Sequence, residues 1–545
     1  RFSDLPNFGP EGFAVEIVGD PGTAFDNYYV RFEKSDDADS AGVWREAIAQ
    51  GAPYQLDPAT MPHVLVREAD GSFTFRQAEW ADRSVGDAAS APEPSFVGRT
   101  LTDVFFFRNR LGVLSDENVI LSRAGDYFSF WPKTVTAQLD SDPIDVAGGH
   151  NKVSILRHAA PFNRRLILFA EQSQFELEGG AILTPMTAAI RPTTEFVSST
   201  AVQPVAAGRH VYFVSEKGGF AGVREYAFDE VTATTDATEN TKHAPSYIPE
   251  GVFAMAAARH DDLLALLTTG DPSAVYVYKF YWSRDDKLQS SWSRWSFAAT
   301  DRLLAAEFVD ARMILVIERA DGVFLEEMDL DPGAADTGFG YQVAADRRIE
   351  ESACVLATAQ GANGTETRLT LPFAESGSLW VVARESAAGL TRGEAIEHSR
   401  PDAATVTLPG DLSAAKLFIG RRYQSRYVFS PFVLREGAGA AQAAMGDGRL
   451  QILYLALFYE ATGGFEVAVT PKARQTYRYA FTGKILGAAA NRIGSNALET
   501  GRFKLPVYAR NTEVSIEIQS ESFLPARFLA AEWEGRWVTR ARRMG

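Results

Sequence analysis

Apolar and polar side chains alternate with a period of two along most of this chain, the pattern of strands whose two faces meet different surroundings. FAVEIVG (Phe13–Gly19) and NYYVRFE (Asn27–Glu33) are early examples, separated by the turn-rich GDPGTAFD, and both are expected to be strands. In HVLVREADGSFTFRQAEW (His63–Trp80), Asp70 and Gly71 stand between two alternating segments. That arrangement predicts a β-hairpin, because an Asp-Gly pair readily supplies the positive φ of a tight turn. SAPEPSFVG (Ser90–Gly98) follows. Its prolines cannot donate to a ladder and hold their neighbours extended, so it is expected to be a stiff connector between modules.

Beyond this connector a loose repeat begins. RNRLGVLS, NRRLILFA, GRHVYFVS, HDDLLALL and DARMILVI each set a polar turn before an apolar strand, anchored at Leu111, Leu166, Val211, Leu263 and Met313, at separations of 55, 45, 52 and 50 residues. Units of that length can hold four antiparallel strands each, as propeller blades do. The same spacing also admits unrelated hairpins in a sandwich. After Pro332 the spacing fades, and the glycine- and alanine-rich stretches GANGTE (Gly361–Glu366) and EGAGAAQAAMGDG (Glu436–Gly448) interrupt the strands; the second is expected to be an exposed loop. Period-two alternation then returns in RLQILYLALFYEATGGFEVAVTP and RFKLPVYARNTEVSIEIQS. The expected fold class is mainly β, an irregular β-propeller with additional β-sandwich-like domains. Its divisions are an N-terminal β module at 1–98, the propeller at 99–345, a β-rich domain at 346–435 and a C-terminal sandwich-like domain at 436–545. The His63–Trp80 hairpin is the candidate for a further blade.

Composition sharpens this picture. A share of 12% aromatic residues, with 44 Gly and 25 Pro, favours short strands and tight turns over helices. The formal charge of −16 argues against a broad phosphate-binding surface, which needs clustered Lys and Arg, yet an acidic wall would let a duplex slide past without sticking. Ordinary acidity for solubility is the other reading. Cys354 is the single cysteine, so an intrachain disulfide and a thiolate metal cluster are both excluded. No apolar run approaches the length of a membrane span, and no membrane anchor is expected. The chain begins at Arg1 rather than Met, from which a preceding segment is expected.

Candidate chemistry is sparse. The nucleophile-elbow, zinc-helix and phosphate-loop motifs are absent. The seven His are scattered; His260 beside Asp261 and Asp262 is the nearest approach to a ligand set, and reads better as a polar turn. No catalytic, cofactor-binding or metal-binding residue is assigned, and no cofactor is expected. Arg536, Arg540, Arg542 and Arg543 cluster at the end of an otherwise acidic chain, fitting either a dock for an acidic neighbour or a solvated terminus.

One long string, DVFFFRNRLGVLSDENVILSRAGDYFSFW (Asp103–Trp131), resembles the signature of the podovirus (T7-like) tail tubular protein B family, the tail nozzle proteins. RFSDLP, NYYVRF, TMPH, RSVGD, PSFVG, RYVFSPFVLRE, FEVAVTP and AAEWEG extend the resemblance to most of the chain, weakest between about Ala181 and Gly420. It implies a virion structural protein of the phage tail. The family forms a homo-oligomeric, sixfold ring at the distal end of a short tail, meets tail tubular protein A and tail fibre protein, and passes phage DNA without specific binding during genome ejection. Within the signature, Phe105, Phe107, Leu111, Val113, Val119, Leu121, Phe128 and Phe130 are expected in the core, with Asn109 and Gly125 at turns. Arg108, Arg110 and Arg123 are expected solvated at strand edges, with fibre carboxylates as their alternative partners. The competing function is a host-surface glycan-binding or glycan-cleaving β-propeller, for which 9 Trp and 18 Tyr would supply sugar-stacking rings.

Overall fold

The computed structural model describes residues 2–19, 27–35, 41–149, 154–229, 234–258, 262–283, 286–361, 364–436, 443–445, 448–483 and 496–539. Strands dominate these residues, with helical structure confined to short turns such as Phe2–Asp4 and Glu351–Ala353. Two compact units are present, Arg1–Met328 and Asp329–Gly545.

In the first unit, all five sequence anchors fall on the second strand of five successive antiparallel meanders. The first meander runs Asp103–Phe107, Arg110–Ser115, Asn118–Leu121, Ile144–Ala147, and the second runs Leu156–Phe162, Arg165–Ala170, Gln174–Glu178, Ala189–Thr194. The third is Val205–Ala207, His210–Lys217, Phe220–Asp229, Thr234–Glu239, and the fourth is Val252–Ala258, Leu263–Thr268, Ala274–Ser283, Asp286–Ser296. The fifth has three strands, Arg302–Val309, Arg312–Arg319 and Gly322–Asp329. No closed sheet is seen among the described strands.

The packing follows from period-two alternation with both faces buried. In RLILFA, Leu166 and Leu168 join a core with Phe105, Leu114 and Leu121 of the first meander. Their neighbours Ile167 and Phe169 face the other way, onto Val211 and Phe213 of the third. Tyr212 and Val214 in turn pack on Leu264, Leu266, Tyr278 and Phe280 of the fourth. Each inner strand therefore contributes to two separate cores. At about 1.5–3 kcal/mol for each large side chain fully buried, those cores supply most of the favourable free energy. The outer face of the first meander is covered by Leu56, Met61 and Phe96, so the Ser90–Gly98 connector is packed rather than free.

The signature lies as expected at most positions. Phe105, Phe107, Val113, Val119, Leu121 and Phe130 are buried, while Leu111 is half-buried and Phe128 is exposed at the edge of the Trp80 ring. Asn109 (φ 60) and Gly125 (φ 75) occupy the left-handed region, as their turns require. Gly112 is needed for space: a Cβ there would stand 2.3 Å from the Phe105 ring.

The His63–Arg67 and Phe73–Gln77 hairpin forms, but not with a two-residue turn. Gly71 (φ 85) and the Asp70 carboxylate, which accepts from Ser72 N at 2.9 Å, organise a five-residue loop. Nor do its strands extend any of the five meanders, for it forms a two-stranded sheet of its own. The physical reason is that Leu65, Phe73 and Phe75 share one face and stay largely exposed, with no core opposite them.

Two buried polar devices fix this packing, one within the first meander and one between the third and fourth. Arg110, expected at a solvated edge, is 1% exposed. It donates to the carbonyls of Ser122 (2.7 Å), Asp142 (2.6 Å) and Asp140 (2.8 Å), tying the segment before the fourth strand of the first meander back to the second strand. Burial pulls its pKa below that of a free guanidinium. Between the third and fourth meanders, Glu225 is 4% exposed. It accepts from Tyr212 Oη at 2.8 Å and Trp282 Nε1 at 3.3 Å, and is bridged by the Lys287 ammonium. Lys287 also donates to Asn240 Oδ1 (3.1 Å) and Tyr278 Oη (3.0 Å).

In the second unit, the sheet of Asp346–Glu350, Leu417–Arg421 and Leu379–Ala383 shares a core with the sheet of Val355–Gly361, Gly364–Thr370 and Thr405–Pro409. A four-stranded sheet (Ser425–Val428, Val514–Ser520, Phe465–Pro471, Tyr477–Phe481) likewise faces the sheet of Glu499–Arg510, Gly448–Thr462 and Arg527–Thr539 across one core. Leu455, Leu457, Val467, Val469, Leu505 and Ile518 lie at its centre.

Three stability predictions follow from these contacts. Arg110→Met leaves three carbonyls without their charged donor and should destabilise the first unit by about 3 kcal/mol or more; an unshifted thermal midpoint would refute the pin. Lys287→Met should cost about 3–5 kcal/mol by stranding the buried Glu225 charge, and adding Glu225→Gln should recover part of it; denaturant titration of both variants tests the coupling. Burial depresses the pKa of His158, which faces Asp103 and Arg157, and of His210, which faces Glu225, Lys287 and Arg209. The unfolded chain therefore binds protons first, so their contribution to stability is full above about pH 6.5 and declines as pH falls toward the depressed folded values. Melting at pH 7 and pH 5 should show this loss, and a His158→Gln/His210→Gln variant should lose less over the same interval.

Candidate functional site

The first strands of successive meanders contact one another in chain order. Four of them line a cleft of about 520 Å³, with Ala159 and Ala160 from the second meander, Ala206 from the third, and Ala256–Ala258 from the fourth. Methyl side chains let these backbones converge, whereas large ones would hold them apart. The fifth meander adds Glu307 and Phe308, and the turn after its first strand adds Asp310. Among the described residues these two carboxylates are the charged groups in the lining, and no basic side chain joins them there.

The first strands of the first two meanders are joined by a residue within the signature whose role the sequence did not reveal. Asp103 Oδ2 accepts from Ala159 N at 2.7 Å and Oδ1 accepts from Val104 N at 2.9 Å, joining the first strands of the first two meanders. Burial raises its pKa despite both hydrogen bonds. Thr102 Oγ1 donates to Leu156 O (2.8 Å) beside it. An acidic residue opening an apolar strand was the available signal, but its acceptor role depends on a neighbour 56 residues away.

The remaining singled-out residues do not assemble into a reactive constellation. Arg108 is exposed, with φ 44, and donates to the carbonyls of Arg164 (2.9 Å) and Gly180 (3.2 Å). Arg123 pairs with Asp126 at 3.2 Å. His260 and Asp261 lie outside the described residues, as do Arg540, Arg542 and Arg543; Asp262 sits in a turn with φ 51, and Arg536 is exposed. Most of the Glu436–Gly448 loop also lies outside them. Cys354 is half-buried against the core of the second unit, and burial pushes its thiol up to about 11, far from a reactive thiolate. Among the described residues, no group of three or more His, Cys, Asp or Glu is placed to hold a metal ion. No helix among them is long and apolar enough to cross a membrane.

The comparisons with known proteins agree with the signature. A family model described as bacteriophage nozzle protein matches residues 1–544. Tail tubular protein gp12 of Escherichia phage T7 is 33% identical over 556 aligned positions, covering 99% of this chain and 68% of the T7 protein. Among solved structures, PorZ of Porphyromonas gingivalis covers 63% of this chain and 42% of its own at 12% identity and TM-score 0.26. Hsv2 of Kluyveromyces lactis covers 55% and 91% at 11% identity and TM-score 0.28. Such low TM-scores support no argument about fold or function. Neither sequence match favours the glycan-binding or glycan-cleaving reading. Since the family model and the T7 relative both run along essentially the whole chain, this protein belongs to the bacteriophage nozzle protein family and is a structural component of the virion tail.

Proposed function

We propose that this chain forms a homo-oligomeric ring of six copies at the distal end of a short phage tail, serving as a non-enzymatic conduit for genome ejection. The observation that carries the proposal is the nozzle-family match over residues 1–544. Membership implies oligomeric assembly with other tail proteins; the specific neighbours proposed are tail tubular protein A and the tail fibre protein. The five successive meanders, four of whose first strands line one cleft, support an irregular propeller in each copy. The paired sheets of the second unit support two sandwich-like domains beyond it. The domain boundaries near 98, 345 and 435 belong to this proposal.

Phage DNA would pass without specific binding, because a chain with a formal charge of −16 offers a duplex little counterion release. Acidic groups should accordingly be denser on the lumen wall than on the outer rim.

Purified chain mixed with tail tubular protein A should give ring-shaped particles by negative-stain microscopy. Persistent monomers would overturn the conduit reading, and a basic lumen in the assembled ring would overturn the electrostatic part of it.

A further inference from the structure

In the second unit, the sheet ordered Glu499–Arg510, Gly448–Thr462, Arg527–Thr539 has two long outer strands, each without a second described strand partner. At about 3.3 Å per residue, each leaves roughly 40 Å of edge whose N–H and C=O groups can pair with another chain. The Arg527–Thr539 edge is the more open. Of its side chains only Trp533 and Trp537 are half-buried, while Leu529 (64%) and Val538 (55%) are largely exposed.

The solvent face of this sheet is divided by charge. At mid-strand the Glu499–Arg510 edge carries Arg502 and Lys504, and the Arg527–Thr539 edge carries Glu532 and Glu534, with Arg536 following on the same face. Within one chain the two stripes already reach each other across the central strand, with Arg502 to Glu532 at 3.6 Å and Lys504 to Glu534 at 3.0 Å. Beneath them, Arg502 lies over the Phe458 ring and Lys504 over the Tyr454 ring. Over these four positions one edge is therefore basic and the other acidic on the same face, with the charged residues at matching two-residue spacing.

We infer that the acidic edge of one copy docks against the basic edge of the next, with a second copy of this chain as the occupant; the inference rests on the proposed ring. Both edges run antiparallel to the central strand and hence parallel to each other. Repeating the sheet by rotation preserves strand sense, so the Arg527–Thr539 edge meets the neighbour's Glu499–Arg510 edge in parallel. The register that sets Glu532 beside the neighbour's Arg502 also sets Glu534 beside its Lys504. Pro506 cannot donate to a ladder, which confines pairing to the Glu499–Leu505 half that carries both basic residues. The contact is head-to-tail, the kind that closes into rings rather than stopping at a dimer.

Charge reversal tests this on the full chain under the assembly conditions above. Glu532→Lys/Glu534→Lys sets like charges at every junction, as does Arg502→Glu/Lys504→Glu. Each should weaken assembly by about tenfold or more while melting as a folded protein, because exposed pairs within the chain contribute little to stability. An equimolar mixture of the two variants restores opposite charges at every junction of an alternating ring and should recover assembly, as should one chain carrying all four changes. If the wild type forms rings and both reversed variants form them equally well, the edge contact is wrong and the ring stands. If the reversed variants fail and mixing does not rescue them, the stripes meet a different tail protein and the inference is overturned. A wild-type chain that forms no ring overturns both.

Discussion

The architecture of the first unit depends on strands being buried on both faces. A strand with one wet face needs apolar residues only at alternate positions, but RLILFA and HVYFVS are apolar nearly throughout and give adjacent residues to opposite cores. One meander cannot satisfy both faces alone, so each requires a neighbour on either side. A short connection and a right-handed sheet twist then allow the next meander to stack on the last, and the first strands gather at the same end of the stack. Small side chains on those first strands, as at Ala159, Ala206 and Ala256, are the corollary of that gathering.

Apolar faces of this kind are permissive about sliding, because one Leu-on-Phe contact resembles another. The buried polar groups remove that freedom. Glu225 of the third meander fits only where Tyr212 meets Trp282 and Lys287 of the fourth, while within the first meander Arg110 fits only where carbonyls of Ser122, Asp140 and Asp142 converge. Asp103 does the same for the first two first strands. Desolvating such groups is costly, so their value lies in specifying one arrangement of the sheets rather than in raw stability.

This division explains which features were legible in the sequence. The five anchors all landed on second strands because apolar alternation and polar turns are local signals. Asn109 and Gly125 were legible for the same reason, since a left-handed turn constrains residue type where it stands. Arg110 was misread because an arginine at the start of a strand looks identical whether water or three distant carbonyls receive it. Asp103, Glu225 and Lys287 carry no local signal either: Asp103 meets Ala159 56 residues on, Glu225 meets Tyr212 13 residues back and Lys287 62 residues on, and a single sequence contains no record of proximity. The Asp70–Gly71 hairpin was legible as a hairpin, but its separation from the meanders was not, because two alternating strands look the same with or without a core beneath them.

Separate cores between successive sheets have a mechanical consequence. Load applied across such a laminate is taken up as shear along several apolar seams in series, so no single seam bears the whole displacement. Where a polar group bridges a seam, as Asp103 does between the first two meanders and Glu225 between the third and fourth, a slip must break that contact as well, and the stack can yield locally without opening along its length. Toughness of that kind is a direct result of writing hydrophobic side chains at consecutive rather than alternate positions.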